Sequence, residues 1–347
     1  GPGEFVIRVN ANFGRTGAGP TDVIFELQYT DTLGPNTTWT TIPMPEPDGE
    51  TVILDSDYST GREVVEMVDL VGLTGLTDGR GFIRLKVTLD TNGNGIADPE
   101  EPSDVTDVGG WIITPMTPNI RTFNDPFVSC PVYSGTVASV DGFDLHLVAP
   151  ESAGRDLSGD INYPAYHYYA EVLDGEFEGH RFDVVGGGET FLTVANDTNI
   201  FSGTPPHSTY AGAPPAGLAG ARIVVRQYRT IDELFQTNTL VTQQPEDATW
   251  VDPALSPVVQ MNRGGQWKSQ WLLQNEDDVA WVDVGDEDLN DTGNMPMPPG
   301  QGAFIQARFT GVLVLLGKVR ENDFRRPLQA GLNNVGSGYP LVESAAG

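Results

Sequence analysis

Apolar and polar residues alternate along most of this chain, in short runs broken by glycine, proline, asparagine and aspartate. FVIRVNANF, VIFELQYT, TWTTIPM and GFIRLKVTL follow one another in the first third. YSGTVASV, FDLHLVA, YHYYAEVL, HRFDVV, TFLTVAN and ARIVVRQY come next, then VVQMN, WKSQWLLQ, VAWVDVG, GAFIQARF and GVLVLLGKV. A period of two places alternate side chains on opposite faces of a sheet, so each run predicts a strand. VVEMVDLVGL has no helix cap and reads as strand and loop, whereas IDELFQ, with Thr230 before it as a cap, predicts one short helix. The expected fold class is all-β. Residues 1–117 predict a β-sandwich of the fibronectin or immunoglobulin kind, residues 118–236 a second β domain, and residues 237–347 a third β domain or the second half of the preceding one.

Composition sharpens this picture. Gly 41 and Pro 26 in 347 residues, without collagen periodicity, are the turn chemistry of a strand-rich protein. Lys+Arg 19 against Asp+Glu 48 leaves a net charge of −29, which repels nucleic acid and anionic membrane surfaces and attracts divalent cations. No apolar run approaches the roughly 18 residues of a membrane-spanning helix, Val312–Leu316 being the longest, so no membrane insertion is expected. Cys130, the sole cysteine, allows no internal disulfide and is expected to be a small buried side chain.

The strongest chemical signal runs from Asp90 to Glu101. Asp90, Asn92, Asn94, Asp98 and Glu101 supply side-chain oxygens at the spacing of an EF-hand calcium loop, Ile96 offers its carbonyl, and Gly95 permits the sharp turn between them. Glu101 can close the shell of this hard-oxygen site by bidentate binding. A strand leads in, and Pro99 and Pro102 oppose an exiting helix, so the loop is closer to those of dockerin-like and thrombospondin-repeat segments than to a sensor. Calcium is the expected cofactor, and stiffening of the first domain its role; the alternative is a hydrated Asn/Gly-rich turn.

Two aromatic groups could contact a ligand or partner. In INYPAYHYYAEV, strand alternation puts Tyr166 and Tyr168 on one face and His167 and Tyr169 on the other, so one set belongs to the core; sugar stacking and plain packing both remain open. Trp267 and Trp271 lie four apart in WKSQWLLQ, on one face of a strand, where they form either a platform for a glycan or another chain, or part of the core with Trp281. His146, His167, His180 and His207 have no metal-ligand spacing. Lys318, Arg320, Arg325 and Arg326 form a basic cluster whose simplest role is pairing with Glu321 and Asp323, the alternative being an acidic face of another subunit. No nucleophile elbow, P-loop or zinc-protease motif is present, and no enzymatic activity is expected.

LQYTDTLGPNTTWTTI followed by GFIRLKVT resembles the fibronectin-like modules of exported bacterial proteins. GWIITP, RTFNDPFVSCPVYSGTVASV, YYAEVLDGEFEGHRFDVV, TFLTVANDTNIF, and PPGQGAFIQ with ENDFRRPLQAGLNNVGSGYP resemble an uncharacterised family of secreted verrucomicrobial β-proteins over about residues 105–343. The resemblance implies export and a modular β architecture, and no activity. Together these readings lead to an extracellular or cell-surface structural subunit, self-associating into a filament or other homopolymer and stabilised by calcium. The alternative is an adhesin for carbohydrate or matrix, with extracellular glycan as partner; a polysaccharide-active enzyme ranks below both. If residues 90–101 hold calcium, chelation lowers the melting temperature and re-addition of calcium restores it; an identical melt in both buffers removes the metal.

Overall fold

Alternation in sequence becomes pairing in space throughout the computed structural model. It describes residues 4–11, 23–34, 37–42, 62–69, 79–89, 103–105, 107–148, 167–188, 190–198, 207–235, 256–263, 266–274, 279–286, 290–308, 310–328 and 335–340. The loop from Asp90 to Glu101 and Tyr166 lie outside them. The protein is all-β, and it divides into two units, Gly1–Thr114 and Pro115–Gly347.

The first unit holds β1 (Glu4–Ala11), β2 (Val23–Thr30), β3 (Thr40–Ile42), β4 (Arg62–Asp69), β5 (Gly79–Leu89), β6 (Ser103–Val105) and β7 (Gly109–Met116). β1 and β4 form an antiparallel ladder from Glu4 opposite Asp69 to Ala11 opposite Arg62. β7, β5, β2 and β3 pair in that order, with β6 also on β5. Phe82, Leu85, Leu27 and Trp111 are buried, and Trp111 stacks on Tyr29 with centroids 5.9 Å apart. Gly81 lies directly beneath that indole, where a Cβ would fall 2.1 Å from a ring carbon, so only glycine fits.

The second unit continues with β8 (Ile120–Asn124), β9 (Pro131–Asp141), β10 (Asp144–Leu147), β11 (Tyr168–Val172), β12 (Arg181–Gly187), β13 (Phe191–Val194), β14 (Arg222–Gln227) and β15 (Arg229–Thr230). Helix α1 (Ile231–Phe235) follows, then β16 (Val258–Arg263), β17 (Gln266–Gln274), β18 (Val279–Asp283), β19 (Pro296–Met297), β20 (Gly302–Gln306) and β21 (Gly311–Lys318). Thr230 and Glu233 make a reciprocal capping box: the Glu233 amide donates to Thr230 Oγ1 at 3.3 Å and the Thr230 amide to Glu233 Oε2 at 3.0 Å. β10, β13, β12, β11, β14 and β9 close into an antiparallel barrel, and β18, β17, β16, β20 and β8 form a five-stranded sheet. Because β8 completes the sheet built by β16, β17, β18 and β20, residues from before position 237 and after it share one ladder.

Inside the barrel, Ala170, Val172, Phe182, Val184, Ile223 and Val225 pack into one apolar cluster. Their strand neighbours Glu171, Arg181, Asp183 and Arg226 point the other way and should be wet, yet all four are buried. Asp183 is met by Ser208, the His207 amide and the Tyr228 hydroxyl, and the cover over the other three is the segment after β21. Arg320 pairs with Glu171, which Arg226 also approaches at 3.4 Å, and Asn322 Nδ2 donates to Glu171 at 3.3 Å. The Phe324 ring takes the Arg320 and Arg181 guanidiniums at 5.1 and 5.4 Å from its centroid. Gly300, at φ +76°, leaves the room that ring needs, since a Cβ there would fall 2.2 Å from it. Within the basic cluster Arg320 is committed to the fold, with Glu171 rather than a neighbour in sequence as its partner.

Cys130 departs from expectation: it is exposed. The register of β9 against β14 shifts between Val225 and Arg226, and Arg226 bonds the Ser129 carbonyl, which leaves the next residue outside the ladder.

Burial pushes the Asp183 carboxyl up to about 7, against the opposing pull of the Tyr228 hydroxyl, the His207 amide and Arg181. Burial likewise pushes Asp125 up to about 6 despite Arg229 at 3.2 Å. Both carboxyls titrate near 4 when unfolded, so the folded state retains protons that the unfolded chain has released. Their contribution to stability is therefore full below about pH 4 and declines as pH rises through about 6 to 7, by up to about 1.4 kcal/mol per pH unit for each group. The melting temperature should be higher at pH 5 than at pH 8, and Asp183→Asn should flatten that dependence; a flat wild-type profile refutes the assignment.

Candidate functional site

The five-stranded sheet has two unlike faces, and the alternation within β17 sets them. Gln270 and Leu272 are fully buried on one side; Trp267, Ser269, Trp271 and Leu273 occupy the other. Register carries this division across the sheet. Trp271 faces Val282 on β18 and Val258 on β16, Val258 faces Gln306 on β20, and Gln306 faces Ile120 on β8. The next row is Ser269, Gln260, Phe304 and Thr122. In the third, Trp267 faces Asn262.

The buried face is a core. Val259, Met261, Leu272, Trp281, Ala303 and Ile305 pack there, and α1 lies against it through Phe235, whose ring is 4.5 Å from Phe123 and 6.0 Å from Trp281. The opposite face is half-open: Val258 and Val282, which flank Trp271, are buried, and the exposure lies at Trp267 and Ile120. Trp267 is 43% exposed with its ring 5.2 Å from that of Phe304, Ile120 is 54% exposed, and Trp271, Gln260, Asn262 and Gln306 are half-buried. Gln260 Nε2 donates to Ser269 Oγ at 3.0 Å, which fixes the amide between the two tryptophan rows.

No position in those three rows carries a charge, although the chain as a whole has 48 acidic residues. Solvent-facing positions of an acidic protein ordinarily hold its charges. Here they hold indole and phenyl rings separated by amides and hydroxyls. Rings give flat apolar area, and the amides and hydroxyls donate and accept without adding charge.

The other residues singled out in the sequence fall elsewhere. Tyr168 is half-buried and packs against the apolar cluster of the barrel; Tyr169, on the opposite face, is buried and stacks on Tyr228 at 4.6 Å. His180 contacts Thr209 Oγ1 at 3.2 Å and Arg325 at 3.1 Å, and burial, reinforced by Arg325, lowers its pKa. Asp90, Asn92, Asn94, Ile96, Asp98 and Glu101 lie outside the described residues, but the ends of their loop are set: Thr88 on β5 faces Ser103 on β6. The strand β6, not a helix, follows the loop. Among the described residues, no group of three or more His, Cys, Asp and Glu side chains could hold a metal ion, and no helix is long and apolar enough to cross a membrane.

Phe304, Gln260 and Asn262 belong to the aromatic face but were not singled out from sequence. Alternation in GAFIQ and VVQMN assigns each a side of its strand; only the register of β16 against both β17 and β20 brings them together. Comparison with family models, with curated proteins and with solved structures found no match to this chain.

The two faces respond differently to truncation. Trp281→Ala opens the core and should cost about 3–5 kcal/mol of stability, whereas Trp267→Ala should stay within about 0.5 kcal/mol of wild type in urea unfolding. Equal losses would show that Trp267 is a core residue.

Proposed function

We propose that this chain is an extracellular β-protein that binds a glycan through the outer face of the five-stranded sheet, with calcium at Asp90, Asn92, Asn94, Ile96, Asp98 and Glu101 bracing a fibronectin-like first unit. The observation that carries the reading is three rows of aromatic, amide and hydroxyl positions without a charge among them, on a strongly acidic chain. Sugar rings present C–H faces that suit indole and hydroxyls that suit amides, so Trp267 and Trp271 match one side of such a ligand and Gln260 and Asn262 the other. The alternation of β17 holds both tryptophans on one face of a paired strand, so little ordering is needed on binding. The resemblance to secreted β-proteins supports export, where glycans are abundant.

The structural-subunit reading is favoured by a different feature. β1 and β4 pair with each other in a two-stranded ladder, and among the described residues neither has a second strand beside it. A neighbouring copy could add to that edge by strand addition and so build a filament.

A glycan array decides the first reading. Wild type should bind and Trp271→Ala should lose about tenfold or more in affinity; binding unchanged by Trp271→Ala and Trp267→Ala together refutes it. Light scattering on the same sample with calcium present reports on the second, which a monomer at high concentration would refute.

A further inference from the structure

We infer that the ligand of the aromatic face is an uncharged, extended glycan lying along β17, with one ring over Trp271 and another over the Trp267–Phe304 pair. The inference rests on the glycan reading above and adds the class of glycan and its direction.

Charge gives the class. A uronate or sulfated polymer needs a cation to offset its desolvation, and the three rows facing it contain neither Lys nor Arg. The chain's net charge of −29 also repels a polyanion at long range. Gln260, Ser269 and Asn262 exchange hydrogen bonds with neutral hydroxyls at no such cost.

Strand geometry gives the direction. Trp267 and Trp271 are four positions apart, a rise of about 13 Å along β17, which is longer than one sugar ring and suits an oligosaccharide. Gln260, held by Ser269 in the row between them, is placed to bond the intervening sugar. Across the strands, by contrast, the row from Trp271 runs through Val258 to Gln306 and Ile120, with no second ring on which to stack.

The test titrates neutral polymers (β-glucan, xylan, galactomannan) and anionic ones (alginate, polygalacturonate), at low and high salt, against wild type, Trp267→Ala, Trp271→Ala and Trp271→Phe, each shown to fold by circular dichroism. The expected result is binding to a neutral polymer that changes less than about twofold with salt. Affinity should rise with oligomer length until both stacking positions are spanned, fall about tenfold or more in either alanine variant, and recover in Trp271→Phe. Tryptophan-dependent binding of the anionic polymers alone overturns the neutral class and leaves the glycan reading intact. Affinity for a neutral polymer that stops rising at a monosaccharide overturns the direction along β17. Failure of every polymer, or a concentration-dependent dimer abolished by Trp267→Ala, overturns both this inference and the reading beneath it.

Discussion

Glu171 is the residue on which the second unit depends. Its carboxylate lies on the outer side of a barrel strand, fully buried, with Arg226 from the adjacent strand and Arg320 from the segment beyond β21 converging on it. A carboxylate taken out of water is tolerable only with partners of opposite charge and hydrogen bonds to its remaining lone pairs. Removing Glu171 would leave two buried guanidiniums without their counter-charge, a loss of about 3–5 kcal/mol. The segment from Val319 to Arg326 is thus fastened to the barrel by electrostatics and by Phe324, and not by a sheet ladder of its own.

The same unit treats its polar residues in two opposite ways. Around the barrel, charges are buried and cancelled; on the outer face of the five-stranded sheet, open positions are stripped of charge and given rings and amides. Each departs from the ordinary rule that charges face water. The first departure is explained by the cover over the barrel. Among the described residues the second has no such cover over Trp267 and Ile120, and it is the feature from which a neutral, hydroxyl-rich ligand is proposed.

Much of this was legible in the chain. Period-two runs marked the strands, Thr230 marked the start of the short helix, and the four-residue step from Trp267 to Trp271 placed both on one side of β17. Which side was not legible, because alternation separates two faces without saying which one the core will take. That choice depends on Phe123, Phe235 and Trp281, distant in sequence, meeting on the other face. The basic cluster was misleading for a similar reason: Glu321 and Asp323 are the nearest acids in sequence, but the strand direction of Glu171 brings it to Arg320 from far away. Cys130 could not be placed without knowing that the β9–β14 register slips beside it.

The Glu171 arrangement also bears on the order in which the molecule is built. Glu171 and Asn322 bond across 151 positions of chain, so during synthesis the barrel strands emerge long before their cover. Until that last segment arrives, Glu171, Arg181 and Arg226 lack the groups that cover them. A topology rich in such distant contacts folds slowly, on the scale of milliseconds to seconds, and the docking of Phe324 beside the Arg181 and Arg320 guanidiniums needs both ends of the unit to be present.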